Sequence, residues 1–275
     1  MDSATCCRAN QESQYERLRA VKCFLLDMDG TFYLGNRLLE GSLRFVQVLI
    51  RQGKQFLFLT NNSSQHRGIY ADKITRMGLP VSADKVFTSG EATAIYLSRL
   101  KPGARVYLVG TPALKSEFAS YGLRLVRARP DFAVLGFDTT LTYNKLRRLC
   151  GLVRAGVPYI ATHPDLNCPT EGGFMPDIGA MIAFVEASTG RRPKVIGKPN
   201  REIIDAVCEK LGVPLSEMCM IGDRLYTDVA LGATAGITTV LVLSGETRRE
   251  DVASSPYRPD YVFADLAEVA DALEI

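Results

Sequence analysis

The alternation of short apolar segments with helix-like segments constrains the fold of this chain most. Residues 21–26, for example, are mostly apolar and too few for a helix, so they indicate a buried strand. Ser42 is a predicted N-cap and Gly53 a predicted left-handed stop for a helix over 42–52. Such alternation is typical of a parallel sheet with helices on both faces. We predict an α/β fold with a Rossmann-like parallel core sheet, whose strands lie at 21–26, 55–59, 85–88, 194–197, 218–222, 238–243 and 261–263.

A second block of strand-like and helix-like segments interrupts this pattern. It occupies residues 99–178 and ends in a loop rich in proline, glycine, aspartate and threonine. The block is long enough to bury a core of its own, so we predict a second α/β domain inserted into the first. The predicted organisation is a flexible leader over 1–20, a core domain over 21–98 and 179–275, and the inserted domain over 99–178.

Composition excludes several classes of protein. The 275 residues are 47% hydrophobic and 23% charged, which is typical of a globular chain. A net charge of +3, spread evenly along the sequence, argues against a nucleic-acid partner. No apolar run approaches the roughly 18 residues of a membrane span. The polar first 20 residues lack the apolar core of a signal peptide, so we expect a cytoplasmic protein.

The cysteines and histidines argue against several kinds of metal site and catalytic site. The cysteines, at positions 6, 7, 23, 150, 168, 208 and 219, have no metal-ligand spacing, and we expect reduced thiols. The two histidines, His66 and His163, are too few for a multi-histidine metal site, and a histidine-based catalytic triad is nearly excluded.

Polar side chains follow four of the predicted core strands. Carboxylates follow the first strand and the strand at 218–222, a hydroxyl and an amide follow the second, and a lysine follows the strand at 194–197. Ligands of open parallel sheets bind at the carboxyl ends of the strands, so we expect these groups to meet at one sheet edge. They are Asp27, Asp29, Thr60, Asn61, Lys198, Asp223 and Asp228.

This set of groups suits phosphoryl transfer. Carboxylates without a soft ligand favour Mg²⁺, and a lysine and a hydroxyl can hold phosphoryl oxygens. Because the motifs contain no histidine or cysteine nucleophile, a carboxylate that forms an aspartyl phosphate is the natural route. Each motif alone is also compatible with a turn or a helix cap; the occurrence of all four at strand ends favours the functional interpretation.

Four motifs carry a resemblance to a known family. DMDGT at 27–31, TNNSS at 60–64, GKP at 197–199 and GDRLYTD at 222–228 resemble motifs I to IV of the haloacid dehalogenase (HAD) superfamily. The insertion resembles the C2-type cap domain of subclass IIA, which contains the NagD-type and p-nitrophenyl phosphatases, including pyridoxal phosphate and phosphoglycolate phosphatases. The resemblance covers nearly the whole chain from about Lys22. It implies a Mg²⁺-dependent phosphoric monoester hydrolase acting on a sugar phosphate, a nucleotide, pyridoxal phosphate or an aryl phosphate.

The resemblance also implies residue roles. Asp27 would be the nucleophile and a Mg²⁺ ligand, and Asp29 would be the general acid and base and lend its backbone carbonyl to the metal. Asp223 would bind Mg²⁺, with Asp228 behind it. In the same way, Thr60 and Asn61 would hold phosphate oxygens, and Lys198 would pair with the phosphate and with Asp27.

The resemblance of the insertion to a cap domain implies expectations about substrate selection and about pairing of subunits. Its loop over 163–175 would select the substrate, and His163 and Asp165 are the candidates for touching the leaving group. Caps of this type often pair two subunits, which makes a homodimer an expectation. Asn200 and the pair Pro176-Asp177 depart from the usual family pattern, which affects substrate choice and leaves the catalytic set intact.

Other readings are weaker. A signalling receiver domain would fit its acidic, threonine and lysine residues into about 120 residues, whereas Asp27 and Lys198 are far apart in this chain. A non-catalytic phospho-ligand-binding or regulatory protein on the same scaffold is the alternative that stays open. Within the superfamily, a dehalogenase has no use for Mg²⁺ or for Asp29, and a phosphonatase needs a cap lysine for which no strong candidate exists.

Overall fold

The computed structural model describes residues 14–170 and 172–274. The predicted leader over 1–20 therefore falls largely outside the described residues, as do Cys6 and Cys7. The described part of that segment contains the short helix α1 (Glu16–Ala20). The five cysteines in the described part of the chain form no disulfide.

The strands and helices alternate for most of the chain. The strands are β1 (Cys23–Leu26), β2 (Tyr33–Leu34), β3 (Arg37–Leu38), β4 (Gln55–Thr60), β5 (Val86–Thr88), β6 (Arg105–Val109), β7 (Arg124–Leu125), β8 (Phe132–Leu135), β9 (Tyr159–Ala161), β10 (Asn167–Thr170), β11 (Gly173–Pro176), β12 (Lys194–Val195), β13 (Met218–Gly222), β14 (Thr238–Val242) and β15 (Tyr261–Phe263). The helices after α1 are α2 (Ser42–Arg51), α3 (Arg67–Arg76), α4 (Ser89–Leu100), α5 (Pro112–Ser120), α6 (Tyr143–Arg154), α7 (Ile178–Thr189), α8 (Arg201–Leu211), α9 (Ala230–Ala235), α10 (Arg249–Ser254) and α11 (Leu266–Glu274).

The chain divides into two compact units. Unit 1 comprises the described part of Met1–Phe58 together with that of Leu211–Ile275, and unit 2 comprises Leu59–Lys210. The chain leaves unit 1 within β4 and returns to it at the end of α8. The predicted insertion over 99–178 lies within the bounds of unit 2, and its assignment as a cap domain stays a prediction.

Unit 1 contains a parallel sheet in the order β15-β14-β13-β1-β4. Its central strands are buried along their whole length, as the continuous apolar segments predict for a sheet covered on both faces. Helix α2 ends at Arg51, and Gly53, two residues later, has the left-handed conformation (φ 65°) that the sequence predicts. Its predicted N-cap is wrong, because Gly41 is the N-cap and the Ser42 hydroxyl donates to the Phe32 carbonyl at 2.7 Å.

Unit 2 has a sheet of its own, in the order β12-β9-β8-β6-β7, with every pair of neighbours parallel. Helices α6 and α7 contribute buried apolar residues to the core on this sheet, among them Leu149, Ile178 and Val185. The α/β fold with parallel sheets and covering helices is therefore confirmed in both units.

Three local features of unit 2 differ from the sequence prediction. The strand before Lys198, β12, pairs with β9 and not with the core strands of unit 1, because its register joins Lys194 to Ile160. The predicted loop after β9 contains the antiparallel hairpin β10-β11. Helix α7 was not predicted; it begins at an Asp177 N-cap and ends at Gly190.

No helix in the described ranges is long and apolar enough to cross a membrane.

Candidate active site

Three carboxylates form a buried cluster in unit 1, which we call the carboxylate cluster: Asp27, Asp223 and Asp228. Asp27 follows β1 and Asp223 follows β13, and these strands are parallel neighbours with Leu26 opposite Ile221. The two side chains therefore leave the sheet at the same edge, as predicted. One oxygen from each of the three carboxylates lies within 4.8 Å of the others.

Two glycines let the backbone approach the carboxylate cluster closely. A Cβ atom on Gly30, whose φ is 92°, would stand 2.5 Å from Asp223 Oδ2. A Cβ atom on Gly222 would stand 2.2 Å from Asp228 Oδ2. Real Cβ atoms do not make contacts this short, so only glycine allows this backbone path at both positions.

Asp223 accepts two hydrogen bonds, and its burial and the neighbouring carboxylates raise its pKa. The Thr31 hydroxyl donates to Asp223 Oδ1 at 3.4 Å, and the Glu246 backbone N–H donates to Asp223 Oδ2 at 2.6 Å. Burial, followed by the neighbouring Asp27 and Asp228, raises the pKa of Asp223 well above its ordinary value. Three buried hard-oxygen donors that repel one another fit a hard divalent cation, which would offset their repulsion.

Asp29 stands apart from the carboxylate cluster. It is half-buried, and among the described residues it is not one of the three whose oxygens lie together. Its backbone forms a bridge with Tyr33, in a tight turn where the Gly30 N–H donates to the Tyr33 carbonyl at 2.9 Å. Its role as a general acid and base stays a prediction.

The other predicted site residues lie in unit 2. Thr60, Asn61 and Lys198 are all buried. The Thr60 hydroxyl accepts from the Asn62 backbone N–H at 3.1 Å, which fixes the turn at the end of β4. The structure brings Asn61 and Lys198 together: the Lys198 backbone N–H donates to Asn61 Oδ1 at 2.8 Å.

His163 and Asp165 are buried parts of a hydrogen-bonded network in unit 2. Asn61 Nδ2 donates to Asp165 Oδ1 at 2.8 Å. The two ring nitrogens of His163 contact Asp177 Oδ1 and Thr162 Oγ1, both at 3.0 Å. The predicted contacts of His163 and Asp165 with a leaving group stay predictions.

Sequence reasoning missed Asp177 and Ser89 as members of this network. The Ser89 hydroxyl lies 3.3 Å from His163 Nδ1 and donates to the Asn61 carbonyl. Asp177 also caps α7, since its Oδ1 accepts from the Ile178 N–H at 2.6 Å. A polar residue directly before the apolar segment 178–185 is a helix-start signal that was available in the sequence.

Comparison with known proteins identifies the family. A family model for haloacid dehalogenase-like hydrolases matches residues 24–124, and a HAD-hydrolase-like model matches residues 195–269. An acid sugar phosphatase from Staphylococcus saprophyticus is 37% identical over 258 residues, covering 94% of this chain and 100% of the relative. The chain belongs to the haloacid dehalogenase superfamily.

Further relatives refine the place within this superfamily. The 5'-nucleotidase YutF of Bacillus subtilis is 35% identical and covers 91% of this chain and 98% of that protein. The crystal structure of a 4-nitrophenylphosphatase from Thermotoga maritima matches with a TM-score of 0.90 and 50% identity, covering 94% of this chain and 99% of that one. These similarities confirm the predicted subclass IIA membership and the predicted phosphoric monoester hydrolase class.

Proposed function

We propose that this chain is a Mg²⁺-dependent phosphatase that hydrolyses small-molecule phosphate monoesters through an aspartyl phosphate on Asp27. The observation that carries the proposal is the carboxylate cluster of unit 1, in which Asp27, Asp223 and Asp228 present oxygens within 4.8 Å of one another. A buried group of this kind is costly unless a cation offsets its charge. Family membership supplies the reaction class.

The acids of unit 1 would divide the chemistry between them. Asp27 and Asp223 would hold the cation, which on binding neutralises charge on the phosphoryl oxygens. Asp27 attacks phosphorus, the bond to the leaving oxygen breaks, and Asp29 gives that oxygen its proton. Asp29, now a carboxylate, then takes a proton from the water that hydrolyses the aspartyl phosphate, and inorganic phosphate is released. Asp228 would lie next to Asp223 without binding the cation directly.

The residues of unit 2 would bind the phosphoryl group. An ammonium and a hydroxyl are suitable donors for phosphate oxygens, and we assign these roles to Lys198 and Thr60. For Asn61 we assign the backbone N–H, because both side-chain N–H groups already donate within unit 2. The segment 99–178 would be the cap that selects the substrate.

The substrate class follows from the relatives only in broad terms. Their names refer to sugar phosphates, a nucleotide and nitrophenyl phosphate, all small phosphate monoesters. We therefore propose sugar phosphates, nucleotides, pyridoxal phosphate and aryl phosphates as the set to test. A non-catalytic phospho-ligand-binding protein is the alternative that the same experiment addresses.

The deciding experiment measures initial rates of phosphate release from this panel, with Mg²⁺ and with EDTA. We expect Mg²⁺-dependent release, and we expect Asp27→Asn to lower kcat at least about a thousandfold because the nucleophile is lost. Asp29→Asn should lower kcat by about 10²–10⁴, the usual contribution of a general acid or base.

A matched control tests whether these losses are specific. Asp260 accepts hydrogen bonds from the Thr239 N–H and hydroxyl in unit 1, directly before β15 and thus at the opposite end of the parallel strands from Asp27. Asp260→Asn should keep kcat within about twofold. Absence of phosphate release from every ester by folded, Mg²⁺-loaded wild-type protein would contradict the proposal and favour the binding protein.

A further inference from the structure

The side-chain amide of Asn61 is fully engaged with the backbone of Lys198 and with Asp165. Its Oδ1 accepts from the Lys198 N–H at 2.8 Å, and its Nδ2 donates to the Lys198 carbonyl at 3.0 Å. The second proton of Nδ2 is donated to Asp165 Oδ1 at 2.8 Å. An amide has two N–H donors, so Asn61 has none left for a phosphate oxygen. We call this arrangement the Asn61 clasp: Asn61, Lys198 and Asp165.

The clasp fixes the backbone of Lys198 on both sides of its Cα atom. Because its N–H and its carbonyl are both held by one amide, the direction of the side chain from the backbone is set. Lys198 Nζ donates to the Leu59 carbonyl at 3.1 Å, so the end of the side chain is bound to β4, two residues before Asn61. The lysine side chain therefore loses its conformational entropy on folding and not on ligand binding.

Asp165 reinforces the orientation of the Asn61 amide that the N–H and the carbonyl of Lys198 also favour. A carboxylate only accepts, so it can meet the Nδ2 side of Asn61 and not the Oδ1 side. Hydrogen bonds to a charged acceptor are about twice as strong as neutral ones, which favours this orientation over the flipped one. Asp165 is itself fixed, since the Gly179 N–H donates to its backbone carbonyl at 2.7 Å.

His163 and Asp177 are connected to the clasp through Ser89. Asp177 holds Nε2 of His163, and the Nδ1 side contacts Ser89, whose hydroxyl donates to the Asn61 carbonyl. His163, Asp165 and Asp177 stand close enough to hold a metal ion. Each of them is already hydrogen-bonded within unit 2, however, so their arrangement is explained without one.

We propose that Asp165 is a positioning residue, which orients the Asn61 amide so that the amide fixes Lys198 for phosphate binding. This inference rests on the proposed function, because it takes Lys198 as the phosphate-binding cation. It differs from the expectation that Asp165 touches the leaving group. A residue that acts through Lys198 affects every ester equally and also affects inorganic phosphate, whereas a leaving-group contact does neither.

The test compares Asp165→Ala and Asp165→Asn with wild-type protein. Asp165→Ala removes the acceptor and should lower kcat/KM by about 10- to 100-fold, by analogy with the range typical of residues that orient metal ligands. The factor should agree within about twofold for esters with chemically different leaving groups, and the inhibition constant of inorganic phosphate should rise. Asp165→Asn keeps an oxygen acceptor and should recover most of the loss.

A matched variant and a second readout make the result decisive. Asp138 is another buried acid of unit 2, which pairs with Lys145 outside the clasp, so Asp138→Ala tests general destabilisation. Hydrogen exchange of the Lys198 N–H should be faster in Asp165→Ala than in both Asp138→Ala and wild type. This exchange is measured without turnover, so it tests the clasp even if no ester is hydrolysed.

Two outcomes would overturn the inference. A loss that depends strongly on the leaving group, with an unchanged inhibition constant for phosphate, would make Asp165 a substrate contact. Exchange at Lys198 equal to that of the wild type in Asp165→Ala would show that Asp165 does not hold the clasp. A wild-type protein that releases no phosphate from any ester, but in which Asp165→Ala speeds this exchange, would contradict the proposed function and leave the clasp intact.

Discussion

At the scale of single residues, close packing explains why the GKP motif at 197–199 begins with a glycine. A Cβ atom on Gly197 would stand 2.6 Å from Asn61 Oδ1 and 2.6 Å from the Thr162 carbonyl. Neither atom is the end of a long flexible side chain, so neither can move away cheaply. The glycine is therefore explained by close packing against the clasp and not by backbone freedom, because its φ is not positive.

We expect Gly197→Ala to disrupt the clasp and lower stability by about 1–3 kcal/mol, as overpacking of a buried site does. Gly151 in α6 is a matched control, because a Cβ atom there meets nothing within 4 Å. Gly151→Ala should stabilise the protein by about 0.5–1 kcal/mol, the helix-propensity difference between the two residues. Urea unfolding followed by circular dichroism measures both. Equal effects of the two substitutions would contradict the packing argument.

At the scale of secondary-structure elements, α4 and α5 each place a buried glutamate, Glu91 and Glu117, close enough for their charges to interact. Glu91 in α4 accepts hydrogen bonds from Arg67 at 2.9 Å and from the Tyr121 hydroxyl at 2.6 Å. Within the described part of the chain, Glu91 Oε2 and Glu117 Oε1 are buried without a partner. Burial, together with the charge of Glu91, raises the pKa of Glu117 to about 7. The two helices therefore pack best when Glu117 carries a proton.

This pair predicts a pH dependence of stability. The folded state binds a proton on Glu117 more tightly than the unfolded state, whose pKa is near 4.5. The stability that this proton contributes is present below pH 4.5 and is lost as pH rises through about 7, a change of about 3 kcal/mol at most. Glu117→Gln should remove this slope, matching wild type at pH 5 and exceeding its stability at pH 8.5.

Urea unfolding at several values between pH 5 and pH 8.5 tests this expectation, and circular dichroism is the suitable probe because the chain has no tryptophan. Glu186, which pairs with Arg192 at the surface of unit 2, provides the control. Glu186→Gln should keep the wild-type slope, since surface pairs contribute little. The same slope in Glu117→Gln and wild type would refute the role of Glu117.

At the scale of the whole molecule, the metal binding that we propose for the carboxylate cluster would be linked to folding. A cation that binds only the folded protein stabilises it by about 2.7 kcal/mol at a concentration of one hundred times Kd. We expect Mg²⁺ to raise the Tm of the wild type. Asp223→Asn should abolish this rise. Its Tm without metal should exceed that of the metal-free wild type, because burial and the neighbouring Asp27 and Asp228 disfavour the ionised form of Asp223, and asparagine avoids this cost.

Thermal unfolding with Mg²⁺ and with EDTA measures both effects. Asp260→Asn again provides the control in unit 1 and should keep the Mg²⁺-dependent rise in Tm. If Asp223→Asn responds to Mg²⁺ as strongly as the wild type does, the carboxylate cluster is not the metal site.

The sequence by itself determined the α/β alternation over most of the chain, though not α7 or the hairpin β10-β11, and it determined the carboxylates after β1 and β13. These features are local: an apolar segment of four to six residues, an aspartate at its end and a glycine in its turn can be read without knowing any partner. The motifs also led to the correct superfamily, because their order and residue types are specific.

Only the tertiary structure decided which sheet β12 joins and which groups Asn61 and Asp165 contact. A strand as short as Lys194–Val195 has no periodicity that selects its neighbour, so its pairing with β9 depends on the packing of unit 2. The contacts of Asn61 join residues more than a hundred positions apart in sequence. A buried amide takes its role from the groups that surround it, and those groups are brought together by folding.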